Sequence, residues 1–232
     1  MKKSDILVIC LVIILLAPFF IFNSVYDAYS TFNANNPLIM AFIKFAILAT
    51  FGEMLGLRIK TGHYNQKGFG IAPRCVVWGF FGMWIAIGMG VFSRGIPMYL
   101  DQFSPFAGIV ASMGGPLSVM KICGAFFISL MMNTSFAPVF MTAHKISDTH
   151  ILNNGGKFSA LLKPIPVKKI ISSLNWEVQW GFVFKKTIPF FWIPAHTITF
   201  LLPQEMQVLF AALCSVVLGL FMSIASLKGK RS

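Results

Sequence analysis

From Ile6 to Phe22 the chain carries no charged or strongly polar side chain, and runs of this kind recur along its length. A bilayer core takes roughly 20 apolar residues per crossing helix, because every backbone N–H and C=O must be satisfied within the segment. Pro37 to Leu57 forms a second run, interrupted by Lys44 and Glu53, and Cys75 to Phe92 a third, bracketed by Arg74 and Arg94. Ile122 to Ala143 makes the fourth. Thr187 to Pro203 and Met206 to Ser226 form a fifth and sixth, joined only by Gln204 and Glu205. The composition agrees: 56% of residues are hydrophobic and 11% charged, with a mean hydropathy of +0.76, too oily for an ordinary soluble domain. The expected fold is an all-α polytopic bundle of about six transmembrane helices, forming one domain over residues 1–232.

Lys2 and Lys3 ahead of the first run resemble the start of a signal peptide, but the run is too long and no small-x-small cleavage site follows it. An uncleaved first helix is expected. Orientation follows from the basic residues, which concentrate in cytoplasmic loops. Of the 19 Lys and Arg, all but Lys44, Arg94 and Lys121 fall on one side of a six-helix arrangement, from Lys2 and Lys3 to Lys228, Lys230 and Arg231. Both termini are therefore expected in the cytoplasm, together with a basic loop over residues 144–186. That placement assigns the net charge of +12 to anionic lipid head groups rather than to nucleic acid. The "MKK" start suggests a bacterial inner membrane, with an organellar membrane as the alternative.

Small residues let helices approach closely in lipid, where no hydrophobic drive brings them together. Gly82, Ala86 and Gly90 recur at four-residue spacing on the third helix. On the second, Ala46, Ala49, Thr50, Glu53 and Gly56 fall on one face, with Gly52 beside them. Glu53 thus lies on a packing face, about one turn from the inner end of its helix. Lys44 is nine residues away, on the opposite side and roughly 13 Å along the axis, so the two cannot pair within their helix. An acid at this depth marks either a polar pathway or a tie to a cation on another helix. For Lys44 the simpler reading is snorkelling towards the outer face.

The fourth run carries "NTSFAP", Asn133 to Pro138, near its middle, and the fifth carries Pro189, Pro194 and Pro203 with His196, Thr197 and Thr199. Such segments are tolerated where neighbouring helices or a cavity meet the freed carbonyls. Glu53, Lys44, Asn133, Thr134 and His196 are the expected polar interior. Gly52, Gly56, Gly82, Ala86, Gly90, Pro138 and Pro203 are the expected packing and bending positions.

Signatures of chemistry are scarce. Cys10, Cys75, Cys123 and Cys214 are isolated in apolar runs and read as reduced thiols. His144, Asp148 and His150 form an H-x3-D-x-H cluster that fits no established ligand spacing and reads as solvated loop. "NNGGK", Asn153 to Lys157, lacks the spacing of a phosphate loop and reads as a turn. No catalytic residue, metal site or cofactor is assigned, and an enzyme is the least favoured class.

In order along the chain, several motifs resemble the Mpv17/PMP22 family of integral membrane proteins. Gly52-Glu53 stands where that family has Gly-Asp in an early helix, and Gly79, Gly82 and "SRGIP", Ser93 to Pro97, stand where it has G-x-x-G-P and D-R-x-I-P. "MNTSFAP" is similar to D-Q-x-x-x-A-P, with Asn133 for the glutamine and Ala137-Pro138 kept. Leu202-Pro203, Val208-Leu209 and Met222-Ser223 keep the spacing of the C-terminal pattern. The likeness covers roughly residues 46 to 223. Met132, Gln207, Met83 and Leu218-Gly219 replace polar or proline positions of the family, so scaffold positions are kept and polar ones are mostly lost. The resemblance implies a channel-like pore or a regulator of small-solute permeability. The alternative is a non-transporting structural or stress-related protein whose basic loops bind lipid or a partner. Self-association is left open.

Overall fold

The computed structural model describes residues 2–228, with side chains described to residue 220, and it is helical throughout, with no strand among the described residues. Lys230 and Arg231, counted above for orientation, lie outside the described residues, as do the side chains of Met222, Ser223 and Lys228. Four helical stretches are long and apolar enough to cross a membrane: Lys3–Ile21, Pro37–Thr61, Ile71–Leu100 and Val119–Asn153. This marks a membrane protein. Gln204–Leu220 is a shorter apolar helix within the described side chains.

The chain divides into two compact units, Met1–Met40 and Ala41–Ser232, where the sequence suggests one domain. The first contains α1 (Lys3–Ile21) and α2 (Asn23–Asn35), with Phe19 and Tyr29 in edge-to-face contact at 5.5 Å between ring centroids. α1 is apolar on every side, with a mean hydropathy of 2.8 over its best window, which is the pattern of a membrane-spanning helix.

The second unit holds all but the first turn of α3 (Pro37–Thr61), followed by α4 (Ile71–Leu100), the short α5 (Ile109–Gly114), α6 (Val119–Met131), α7 (Ala137–Asn153), α8 (Val167–Ser173), α9 (Trp176–Val178), α10 (Ile193–Leu201) and α11 (Gln204–Lys228). α6 and α7 are one helix interrupted by a π-helical stretch, Met132–Phe136, which coincides with "NTSFAP". Pro138 sits in the first turn of α7, where it has no N–H to donate, and the surplus carbonyls are met from within. Thr134 donates to Leu130 O at 2.8 Å and Ser135 to Met131 O at 2.5 Å. The fifth run starts earlier than the Thr187 expected: α9 continues into a π-helical stretch, Gln179–Trp192, that contains Pro189, and then into α10. Pro203 is exposed in the turn between α10 and α11.

Other boundaries move as well. Residues 144–153 belong to α7, so the connection expected from residue 144 begins only at Asn154. The fourth run continues for these further turns because His144 and Asp148 are held by partners on α3 and α4, which makes continued helix better than loop.

The small residues approach neighbouring helices unevenly. Gly82 meets α3 so closely that a Cβ there would stand 2.5 Å from Phe45 Cβ and 2.6 Å from Ala41 O. Gly52 meets α11, where a Cβ would lie 3.0 Å from Val216 Cα. A Cβ on Gly90 would have nothing within 4 Å and Ala86 is half-buried, whereas a Cβ on Gly88 would stand 3.2 Å from the Phe136 ring, so α4 packs further along through a different face. The core between α3, α4, α6, α10 and α11 comprises Phe45, Trp78, Ile85, Met89, Ile128 and Phe200, among others.

Candidate functional site: a polar cluster and two cavities

Glu53 on α3 is the centre of a charged cluster. Arg74 Nη1, from the first turn of α4, donates to Glu53 Oε2 at 2.5 Å, and Trp78 Nε1, one turn further, donates to Oε1 at 3.0 Å. His144 Nε2 on α7 stands 3.1 Å from the same Oε1. Arg74 also pairs through Nη2 with Asp148 of α7 and donates from Nε to Phe69 O at 2.7 Å, while its guanidinium lies 4.5 Å from the Phe69 ring centroid. The His144 ring lies tilted against Trp78, with 4.4 Å between centroids. Three helices are thus fastened by one carboxylate and one guanidinium.

The local chain makes this arrangement possible. Arg74 and Trp78 are four residues apart on α4, and His144 and Asp148 four apart on α7, so each pair projects from one helix face. Gly70, the left-handed residue before α4 (φ 76°), meets Gly156 of the "NNGGK" turn (φ 68°). A Cβ on Gly70 would come within 2.8 Å of Gly156 Cα. This contact sets the start of α4 against the end of α7, which is where Arg74 reaches Asp148.

A cavity of about 490 Å³ opens beside the cluster. At its basic end it is lined by Lys60, Lys145, Glu53, Arg74, His144 and Asp148, and it reaches inward to Met132, Asn133 and His196. Its walls are mostly apolar, with Phe45, Trp78, Phe136, Phe140 and Trp192 among them, and Gly52 and Gly56 contribute from α3. At the inner end the Asn133 side-chain nitrogen lies 3.0 Å from His196 Nδ1 and donates to Ser129 O at 2.8 Å. Ser129 in turn donates to Ile193 O at 2.7 Å, which binds α6 to α10. Trp192 stacks on His196 at 5.0 Å, and its buried Nε1 has no hydrogen-bond partner among the described residues.

A second cavity, of about 530 Å³, lies at the other end of the same helices and is lined by Arg94, Lys121, Ile128, Phe200, Gln204 and Gln207, among others. On α6 and its π-helical continuation, Met132 lines the first cavity and Ile128 the second; on α10, His196 lines the first and Phe200 the second. One helical turn, about 6 Å, separates the two cavities on both elements. Ile128 is fully buried and Phe200 is 3% exposed, so that turn is closed by packed side chains, with the buried hydroxyls of Ser129 and Thr199 bonded to backbone carbonyls.

The expected polar residues therefore divide. Glu53, Asn133 and His196 line the first cavity. Thr134 does not: it is exposed, turned away from the cavity, and bonded to its own helix backbone. Lys44 is 6% exposed, which replaces the snorkelling expected of it with burial inside the protein, and it lies outside the cavity lining. Arg74, a loop cation by its place in the sequence, is instead 5% exposed within α4. His144, Asp148 and His150 are helical rather than solvated loop, and they point to separate partners, since His150 Nε2 meets Ala160 O at 3.0 Å. The cluster partners of Glu53 escape sequence reasoning, although the two four-residue pairings are the available signal.

No family model, curated protein or solved structure matches the chain. The likeness to Mpv17/PMP22 proteins accordingly rests on the sequence motifs alone.

Proposed function

We propose that this is a multi-pass membrane protein that lets a small solute cross through its helix bundle, as a channel-like pore or a regulator of permeability. The observation that carries this reading is the pair of cavities at opposite ends of the bundle, separated by a single packed turn of α6 and α10 in which Ile128 and Phe200 face the second cavity. Two open recesses of this size, one at each end of the bundle, give a solute an entrance from either side. Hydrophobic constrictions of this kind gate water and solutes by dewetting.

Six crossings, with the basic ends at the cytoplasmic face against anionic lipid, fit this proposal. Residues 179–201 and α11, which is apolar over Gln204–Leu220, then complete the wall. A bacterial inner membrane is the setting the "MKK" start suggests, and the Mpv17/PMP22 likeness adds the permeability role attributed to that family. The Glu53–Arg74 cluster also supports the alternative of a non-transporting structural protein, since it fastens α3, α4 and α7 irrespective of any solute.

Flux measured in liposomes decides between them. Purified protein in phosphatidylcholine vesicles is expected to release entrapped small solutes faster than empty vesicles, and Met141→Trp, which adds bulk to the first cavity one turn from Lys145, is expected to reduce that release. Release equal to that of empty vesicles would leave the structural reading.

A further inference from the structure

We infer that the solute is an organic anion with an apolar body, a carboxylate, phosphate or sulfonate carried on an alkyl or aromatic group. This rests on the reading of the two cavities as a solute path and names what that path selects.

Charge provides the first argument. The first cavity is lined by Lys60, Arg74 and Lys145 against only Glu53 and Asp148, and the two acids are both engaged by Arg74. Lys60 is exposed at the end of α3 and has no ion-pair partner among the described residues. Lys145 is half exposed and only 3.8 Å from Asp148 Oδ2, so it retains capacity for another anion. The second cavity is lined by Arg94 and Lys121 with no acid beside them, and Arg94 is likewise without a partner among the described residues. Both entrances therefore present uncompensated positive charge, and low-dielectric walls focus such a field.

Shape and polarity provide the second. Between the cationic ends the first cavity is walled mostly by aromatic and aliphatic side chains, with Gln179, Thr187 and Ser215 among them and the Asn133–His196 pair at its inner end. A small inorganic anion would have to shed its hydration against those walls, which is strongly unfavourable. An anion with an apolar body places its charge by Lys60 and Lys145 and its body against Phe136, Phe140 and Trp78. A volume of about 490 Å³ lies within the range of roughly 300–1,000 Å³ usual for organic ligands.

Such an anion has two sources, a free amphiphile or a membrane lipid, and the test separates them. Protein in phosphatidylcholine nanodiscs is irradiated with one of three diazirine probes of equal chain length: an alkyl carboxylate, the corresponding alkyl trimethylammonium, and a phosphatidylglycerol bearing the same chain. Cross-linked peptides are then mapped. The carboxylate is expected to label the cavity segment around residues 132–141 saturably, with at least about fivefold less labelling in Lys60→Gln/Lys145→Gln, while labelling of lipid-facing positions such as Phe80 and Val91 stays unchanged. Both lysines are at the surface, and the melting profile of the double variant serves as the control for folding. Cavity labelling by phosphatidylglycerol alone assigns the lipid as the source, and labelling by the carboxylate alone assigns a free amphiphile.

Equal cavity labelling by the ammonium probe, or labelling confined to Phe80 and Val91 for all three probes, overturns the inference. If vesicle flux persists in that case, the permeability reading stands without it. If the carboxylate labels the cavity but no flux is seen, the anion site stands and the permeability reading falls.

Discussion

Arg74 holds Glu53 of α3 and Asp148 of α7 at the same time, with Nη1 2.5 Å from the Glu53 carboxylate. Its position decides how the two acids are tolerated. Arg74 is almost completely buried, and a guanidinium supplies a planar fork of donors that a lysine cannot imitate. Removing it takes the close cation from two carboxylates at once, leaving Glu53 with Trp78 and His144 and Asp148 with Lys145 at 3.8 Å, whereas removing Glu53 leaves Arg74 with Asp148.

Arg74→Met is therefore expected to cost about 3–5 kcal/mol, the usual penalty for breaking a buried pair from one side. Glu53→Gln should cost less, about 1.5–3 kcal/mol, because a charge-assisted hydrogen bond is lost but its donor keeps another acceptor. The double variant should be less damaging than the sum by about 0.5–3 kcal/mol. Denaturation in mixed micelles measures all three, and strict additivity would show that the pair does not act as a unit.

Gly70 and Gly156 set the distance that Arg74 must span. Gly70→Ala combines a left-handed backbone with a methyl 2.8 Å from Gly156 Cα, and Gly156→Ala has the same two faults, with its methyl 2.6 Å from Gly68 O. Each is expected to destabilise by more than the roughly 1–2 kcal/mol of a left-handed alanine alone. Gly68→Ala, at φ 88° with nothing within 4 Å, should show only that conformational part. The same melting assay compares them, and equal losses at Gly68 and Gly70 would mean that the contact contributes nothing.

Much of the spanning architecture is visible in the sequence because it depends on local composition. Hydrophobic runs locate α1, α3, α4 and the α6–α7 stretch, and the proline-bounded "NTSFAP" locates its π-helical interruption. The partners of Glu53 are a different matter. Arg74 looks like a loop cation because its neighbours Pro73 and Gly70 end the apolar run, and only the folded contact with Asp148 shows why a cation is buried there. Thr134 looks like Asn133's companion, yet consecutive helical positions point about 100° apart, and only Asn133 faces inward. Gly90 shares the four-residue spacing of Gly82, but a Cβ there would meet nothing within 4 Å, so that position faces away from the neighbouring helices.

That last contrast gives a test of helix packing. Gly82→Ala places a methyl against Phe45 Cβ and the Ala41 carbonyl, and neither can move freely, so overpacking of about 1–3 kcal/mol is expected. Gly90→Ala enters open space on the same helix and should be neutral or stabilising by up to about 1 kcal/mol, the helix-propensity difference. Thermal unfolding of the two variants is the measurement. Indistinguishable melting would refute the α3–α4 approach at Gly82.

The packed turn between the cavities, closed by Ile128 and Phe200, is where permeability should be adjustable. Ile128 faces the second cavity and Met132 the first, so shortening Ile128 thins the barrier without touching either set of cations. Ile128→Val removes one methylene at a cost of about 0.5–1.5 kcal/mol, and Ile128→Ala costs about 2–5 kcal/mol and leaves a void beside Phe200. Vesicle release is expected to rise from wild type to Ile128→Val to Ile128→Ala, provided each variant still melts cooperatively at the assay temperature. Thr134→Ala, on the outward side of the adjoining helix, should leave release unchanged. If release does not follow the size of residue 128 while the proteins remain folded, solute does not pass between the cavities at this turn. The apolar plug is then ordinary core, and the two voids are separate surface clefts.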